Sequence, residues 1–328
     1  MRVGQWGWLD RYIPERLKAW RTAIQGVRRT YKQVTSRRLR LLRPRRFTEK
    51  MQWRKLFDLK PIYAVFSDKY ATRSYVAERL GPGVLPTLYW VGNDPDAIPF
   101  DRLTAPYVIK STHGYEHVVI VERGGTPDVE AIREKARRWL AYNHGSAMWE
   151  PGYQHVPRRL VVEELLEDPS GRPLVERKIF VFDGKVRMVE SIFVEPGTRG
   201  RQTAMHTADW QLLGWYATRQ PYPGPKPRPE HLEEMFAAAE RLAAGFDFLR
   251  VDLYDCGDSF RVGELTVYSW SGLFNFNPDE ADLILGSYWH LRLPVLRAVL
   301  AVLFRRREIR PPHAQIEPAP PTFVAETA

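Results

Sequence analysis

The 328-residue chain has a single cysteine, Cys256. That excludes an intrachain disulfide framework and any multi-cysteine zinc site, and it fits a reducing compartment. It also lacks any run of about 18 apolar residues, so no segment can cross a bilayer as a simple helix. The basic N-terminal stretch is not followed by the apolar core and small-residue cleavage site of a secretory signal. No internal repeat is visible. Positive charge is plentiful, at +10 overall, but it is confined: residues 1–46 hold 14 Lys and Arg against Asp10 and Glu15, so the other 282 residues carry −2. A nearly neutral body argues against a nucleic-acid binder, whose basic patch would make affinity fall steeply with salt. Hydrophobic content of 44% and charged content of 27% are those of an ordinary globular protein, with length for two domains or one with extensions.

From Leu9 to Leu42 the apolar residues Leu9, Tyr12, Ile13, Leu17, Trp20, Ile24, Val27 and Tyr31 recur at mostly helical spacing between Arg and Lys. This reads as a basic amphipathic helical leader over 1–46. It has two uses: attachment to an anionic membrane surface or a partner, or packing on the body with a solvated basic face. An α-rich section over 47–105 follows. Thr48 is placed to cap a helix through Met51, Trp53, Leu56 and Phe57. A second helix starts at Asp68-Lys69-Tyr70 and stops at Gly81-Pro82-Gly83, and Val84–Trp90 suits a strand. Hairpins are expected at Tyr107–Lys110 with Val118–Val121, at Ile179–Phe182 with Lys185–Phe193 around Asp183-Gly184, and at Leu249–Leu253 with Phe260–Thr266. Leu160–Glu163 reads as a further strand. Helices are expected over Asp128–Tyr142 and His231–Ala244. The fold class is therefore α+β, with antiparallel hairpins and a short α-rich N-terminal section. A C-terminal amphipathic helix over 291–310 and a Pro-rich disordered tail over 311–328 complete the chain.

Three constellations carry chemistry. Lys110 leaves a strand into the polar loop Ser-Thr-His113-Gly114-Tyr115-Glu116-His117; lysine can neutralise an anion, and glycine lets backbone N–H groups approach phosphate. A plain surface hairpin would look the same. The run Val161-Val162-Glu163-Glu164-Leu165-Leu166, followed by Glu176-Arg177-Lys178, is a strand-to-linker edge that can face a planar base, or a strand ending at a solvated turn. Finally, Arg250-Val251-Asp252-Leu253 and Val262-Gly263-Glu264-Leu265-Thr266 would set Asp252 beside Glu264 on adjacent strands. Paired carboxylates among apolar neighbours repel unless a cation intervenes, and hard oxygen ligands favour Mg2+ held together with phosphates. Asp252 could instead form a structural ion pair with Arg250.

In this order the pieces resemble the ATP-grasp superfamily, and within it the TupA-like family associated with cell-surface polysaccharide and teichuronopeptide synthesis. The resemblance runs from about Phe47 to Gly286. It rests on Phe47–Leu56, Asp68–Ala71, Val108–Lys110, His113-Gly114, Glu163-Glu164, Lys178–Phe180, Arg250–Tyr254, Gly263–Thr266 and Ser271-Gly272. It implies an ATP-grasp fold over 106–290, two α+β subdomains gripping ATP. Lys110 and Lys178 would contact phosphates with His113 and Gly114, and Glu163, Glu164, Leu165 and Leu166 would form the adenine hinge with Glu176 nearby. Asp252, Glu264 and Thr266 would hold Mg2+, and Arg250 and Lys178 would act on the transferred phosphoryl group. Two positions depart from the superfamily pattern: Tyr115-Glu116-His117 follow Gly114 where small residues are usual, and Thr266 replaces an asparagine.

The expected function is a Mg-ATP-dependent carboxylate–amine ligase working through an acyl phosphate on a carboxylate-bearing sugar, glycan precursor or amino acid. It would be cytoplasmic, with the leader available for the inner face of a membrane. The alternatives are an ATP-binding or scaffold module without turnover, and a basic nucleic-acid binder.

Overall fold

The computed structural model describes residues 15–142, 148–194 and 200–292. Leu9, Tyr12, Ile13, the body of the expected C-terminal helix from residue 293 and the tail lie outside these. The N-terminal part is helical: α1 (Glu15–Thr35), α2 (Phe47–Phe57), α3 (Ile62–Phe66) and α4 (Ala71–Leu80). Two antiparallel sheets follow. The first has the order β1 (Leu88–Gly92), β4 (Leu160–Glu164), β2 (Tyr107–Ser111), β3 (Val118–Val121), with α5 (Val129–Ala141) packed beside it. The second has the order β7 (Arg201–Thr207), β6 (Lys185–Val194), β5 (Val175–Phe182), β8 (Phe248–Asp255), β9 (Phe260–Thr266). Helix α6 (Leu232–Leu242) packs on β5, β6 and β8, and α7 (Glu280–Tyr288) closes the described part against α2. The architecture is the expected α+β class.

Turn chemistry explains the hairpins. Asp183 and Gly184 both have positive φ (47° and 77°), the geometry a two-residue connection needs to match the strand twist. Helix α4 ends where Gly81 adopts φ 85°, a backbone state open to glycine without steric cost. Two expectations at this end are corrected. Residues Pro82–Val84 form a 3-10 turn, so β1 begins at Leu88 rather than Val84. Thr48 is not a cap: Arg46 holds that position, and Thr48 lies inside the helix, where its Oγ1 donates to Asp282 Oδ2 at 2.7 Å. The Glu49 carboxylate instead accepts from the Arg45 and Arg46 amides, satisfying donors at the helix start.

Helix α2 is the hub. Every residue except Lys50 is buried, which is why it shows no amphipathic stripe. Phe47 stands on the second sheet among Phe180, Phe182 and Phe248, with ring centroids 5.1–6.1 Å away; burying such a ring is worth about 1.5–3 kcal/mol. On another side, Trp53, Leu56 and Phe57 receive Val27 and Tyr31 of α1, with Trp20 and Ile24 partly buried against them. The apolar stripe of α1 from Trp20 to Tyr31 is thus spent on the body, while Arg28, Arg29 and Lys32 face solvent. Of the two uses open to the leader, packing on the body is what its described residues do.

Buried charge on α2 is paired. Arg54 donates to Asp247 Oδ1 (2.5 Å) and to the carbonyls of Phe248 and Val267, and lies 4.4 Å from the Trp289 ring centroid. Lys55 approaches Glu150 at 3.8 Å, and burial pushes its pKa down to about 8. The strand β1, from the 47–105 section, pairs with β4, so the two expected segments share one sheet. Cys256 is buried, and burial lifts its thiol to about 11, which leaves it without thiolate reactivity near neutrality.

Candidate functional site

Strand register builds the centre of the site. In the second sheet Glu190 of β6 is the Cα partner of Lys178 of β5, Lys178 of Asp252 of β8, and Asp252 of Glu264 of β9. Directly paired residues project to the same face, so four strands contribute one row of alternating charge: Glu190, Lys178, Asp252, Glu264. Arg250 and Glu176, two residues along their strands, share that face. A register shift between Asp252 and Leu253 inserts Gly263 into β9, and such bulges re-aim the neighbouring side chain. A Cβ on Gly263 would lie 2.6 Å from the Tyr254 ring, which is the steric reason for glycine there.

Asp252 is saturated with cations. Arg250 donates through Nε to Oδ1 and through Nη2 to Oδ2, each at 2.7 Å, and Lys178 Nζ donates to Oδ2 at 2.9 Å. Burial works against the ionised carboxylate, but Arg250 and Lys178 outweigh it and hold Asp252 below the usual range. Burial also opposes the Lys178 ammonium, and Asp252 and Glu176 reverse that, leaving it raised. The ion pair and the carboxylate pair weighed for Asp252 are both present. Thr266 Oγ1 accepts from Arg250 Nη2 at 3.0 Å. Glu264 is half-buried, and its carboxylate makes no hydrogen bond or ion pair among the described residues, although Arg250 feels its charge.

The first sheet supplies the other side. Lys110 Nζ donates to Glu163 Oε2 at 3.1 Å, and Arg73 Nη1 holds Oε1 at 3.0 Å. The Glu163 side chain is therefore enclosed between two cations and turned away from a role as a free hinge acid. Glu164 accepts from the Thr87 amide at 3.0 Å. Beyond it, Leu165 and Leu166 are half-buried past the end of β4, the strand-to-linker position expected to face a planar base.

The loop after Lys110 is held at its base and open at its tip. Thr112 N–H donates to the Arg159 carbonyl, Lys69 Nζ to the Gly114 carbonyl at 2.8 Å, and Ser111 Oγ bonds His117 Nδ1 at 2.8 Å. His113 is buried, its Nε2 donates to the Trp139 carbonyl at 3.0 Å, and burial lowers its pKa, so it is a neutral tether to α5. Its ring thus serves the loop base and is not presented as a phosphate donor. A Cβ on Gly114 would sit 2.1 Å from the His117 ring, so glycine here permits a close ring approach. Among the described residues the amides of His113, Gly114, Tyr115 and Glu116 have no acceptor, as an anion-binding turn requires. The exposed tip reaches toward the second sheet. Partial burial of the Tyr115 hydroxyl and the nearby Glu116 raise its pKa, and Arg219 and Lys178 oppose them.

Sequence reasoning missed Glu190, Arg73 and Arg219. Glu190 is an acid inside a strand of otherwise apolar residues, and that alone could have marked it.

The donor set suits a hard divalent cation. Glu176, Glu190, Asp252 and Glu264 against Lys178 and Arg250 leave a formal charge of −2, and all candidate ligands are oxygens. No group of three or more His, Cys, Asp or Glu able to hold a metal occurs among the described residues.

A profile of the TupA-like ATPgrasp family matches residues 49–290. No protein of curated function matches the chain. Among solved structures, ATP-grasp ligase PsnB complexed with minimal precursor shares 17% identity over 63% of this chain and 54% of its own, with a TM-score of 0.36. The D-alanine–D-alanine ligase from Bacillus anthracis shares 14% over 74% of this chain and 68% of its own, with a TM-score of 0.40. The chain thus spans little more than half of the PsnB chain.

Proposed function

The chain belongs to the TupA-like ATP-grasp family, and from that premise we propose that it is a Mg-ATP-dependent carboxylate–amine ligase acting on a cell-surface glycan precursor. The observation that carries the reading is the Lys178–Asp252–Glu264 row, with the Glu264 carboxylate making no hydrogen bond among the described residues, beside a loop of unpartnered amides whose Tyr115 is within electrostatic reach of Lys178. In this proposal the loop amides and Lys110 hold the outer phosphates, the Leu165-Leu166 edge takes the adenine, and Asp252, Glu264 and Thr266 hold the metal. Bound Mg2+ would supply neutralisation of phosphate charge. Lys178 and Arg250 would steady the phosphoryl group as it passes to the substrate carboxylate, and an amine would then displace phosphate from the acyl phosphate. The chain contributes positioning and electrostatics rather than a nucleophile.

Calorimetry with ATP, with and without magnesium, tests this on the native protein, Lys110→Ala and Glu264→Gln. Native protein should bind Mg-ATP, and each variant should bind about 10- to 100-fold more weakly, the range seen when groups around a metal are removed. Native protein that binds no ATP would sink the reading; binding without phosphate release from any carboxylate pool would leave a non-catalytic binding module.

We also propose that the protein works in the cytoplasm, peripherally at the inner membrane face. No helix among the described residues is long and apolar enough to cross a membrane. Among the described residues of α1 the groups left to meet such a surface are its solvated cations, each worth about 1 kcal/mol near an anionic membrane. Sedimentation with phosphatidylserine vesicles should therefore fall in an Arg28→Gln/Arg29→Gln/Lys32→Gln variant. Equal sedimentation of variant and native protein would remove the proposal.

A further inference from the structure

The charged row on the second sheet contains one group without an employment. Glu190 is 1% exposed. Its Oε1 accepts from Thr203 Oγ1 at 3.0 Å, but its Oε2 is buried without a hydrogen-bond partner among the described residues. Burial raises its pKa, and Lys178, Arg219 and Arg250 only partly offset this. An orphaned buried carboxylate oxygen costs more than a fully satisfied one and asks for a reason.

The reason lies in the register. Lys178 stands between two carboxylates, Glu190 on β6 and Asp252 on β8, as direct cross-strand neighbour of both. Its ammonium bonds Asp252 at 2.9 Å and Glu176 at 2.6 Å, while Glu190 is left with an unused acceptor. Asp252 is also the residue whose oxygens a metal would need. A divalent cation on Asp252 and Glu264 repels an ammonium already seated on Asp252 Oδ2.

We propose that Glu190 is a positioning residue that receives the Lys178 ammonium when metal and nucleotide arrive. In the state described here Lys178 stands in for part of the metal's charge on Asp252. On loading it transfers to Glu190 Oε2, which releases one acceptor position on Asp252 Oδ2 while Arg250 stays bonded to both oxygens, and keeps the ammonium on the face where phosphate is handled. No covalent bond changes and no proton moves; one ion pair is exchanged for another. The inference rests on the metal and nucleotide assignment proposed above and assigns Glu190 a part in it.

The test uses Mn2+ binding in the presence of ADP, followed by electron paramagnetic resonance, on the full chain. Glu190→Gln keeps the shape and the Thr203 bond but offers no anion, so it should bind Mn2+ about tenfold more weakly than native protein, while Glu190→Asp should recover part of the loss. Lost charge alone would also weaken binding, so the deciding comparison is made in a Lys178→Met background. There the exchange has nothing to move, and Glu190→Gln should cost little further. Equal losses in both backgrounds would overturn the proposal, leaving Glu190 a through-space charge. So would a Lys178 Nζ resonance that is unchanged by Mg2+ and ADP in native protein. Native protein that binds neither Mn2+ nor ADP would remove the ligase reading and this inference together, whereas native binding with an unaffected Glu190→Gln removes the inference alone. Thermal melts of each variant identify any that fails to fold, for which Glu190→Asp then decides.

Discussion

Asp252→Ala should lower the stability of the protein by about 3–5 kcal/mol, because removing one partner of a buried pair strands the charge left behind. Two cations lose a carboxylate partner here. Arg250 loses both of its carboxylate bonds and keeps only the hydroxyls of Ser269 and Thr266. Lys178 loses one carboxylate and keeps Glu176. The same substitution removes a proposed metal ligand, so magnesium-dependent ATP binding should vanish as well. Urea unfolding and calorimetry on one preparation separate the two effects, and an unchanged urea midpoint would refute the structural half. A pH series gives a further check with a definite sign. Asp252 is held below its usual pKa in the folded protein, so its contribution is present above about pH 4, the value for an unperturbed aspartate, and fades as pH falls further. Native protein should show that acid loss, and the variant should lack it.

Arg54→Ala should be as damaging, at about 3–5 kcal/mol, although it lies away from the charged row. Its guanidinium joins α2 to the Phe248 and Val267 carbonyls and to Asp247, and Asp247 in turn accepts from Trp289 Nε1 at 3.0 Å. Truncation leaves those acceptors buried with fewer donors. Asp247→Asn added to Arg54→Ala should then cost less than the two separate losses together, with a coupling of about 0.5–3 kcal/mol. Strictly additive losses in guanidinium unfolding would show that the pair does not act as a unit.

What could be read from the sequence was whatever local chemistry decides. Asp183-Gly184, Gly81 and the short apolar run Tyr107–Ile109 fix turns and strands within a few residues, so these elements fall where expected. The pairing of Asp252 with Glu264 was also legible, because one short hairpin separates them. Thr48 misled because a threonine near a helix start looks like a cap, and only Asp282, 234 residues away, shows that its hydroxyl is used elsewhere. The clamp of Arg73 and Lys110 on Glu163, 90 and 53 residues apart, is likewise invisible to spacing. His113 looked like a ligand-facing histidine because nothing local announces the Trp139 carbonyl. Glu190 was passed over for a related reason: its significance comes from two neighbouring strands, and no window along β6 contains them.

The packing of α1 also bears on where the protein can be cut. Trp53, Leu56 and Phe57 are 1%, 4% and 6% exposed with Val27 and Tyr31 over them. Trimming the chain at residue 46 would open an aromatic patch on the helix that also carries Phe47 into the sheet, and sticky surface of that kind invites self-association. The first 46 residues are therefore a poor place for a clean excision and a good place for charge edits. Whatever part α1 plays at a surface, it plays as a helix with one side already taken.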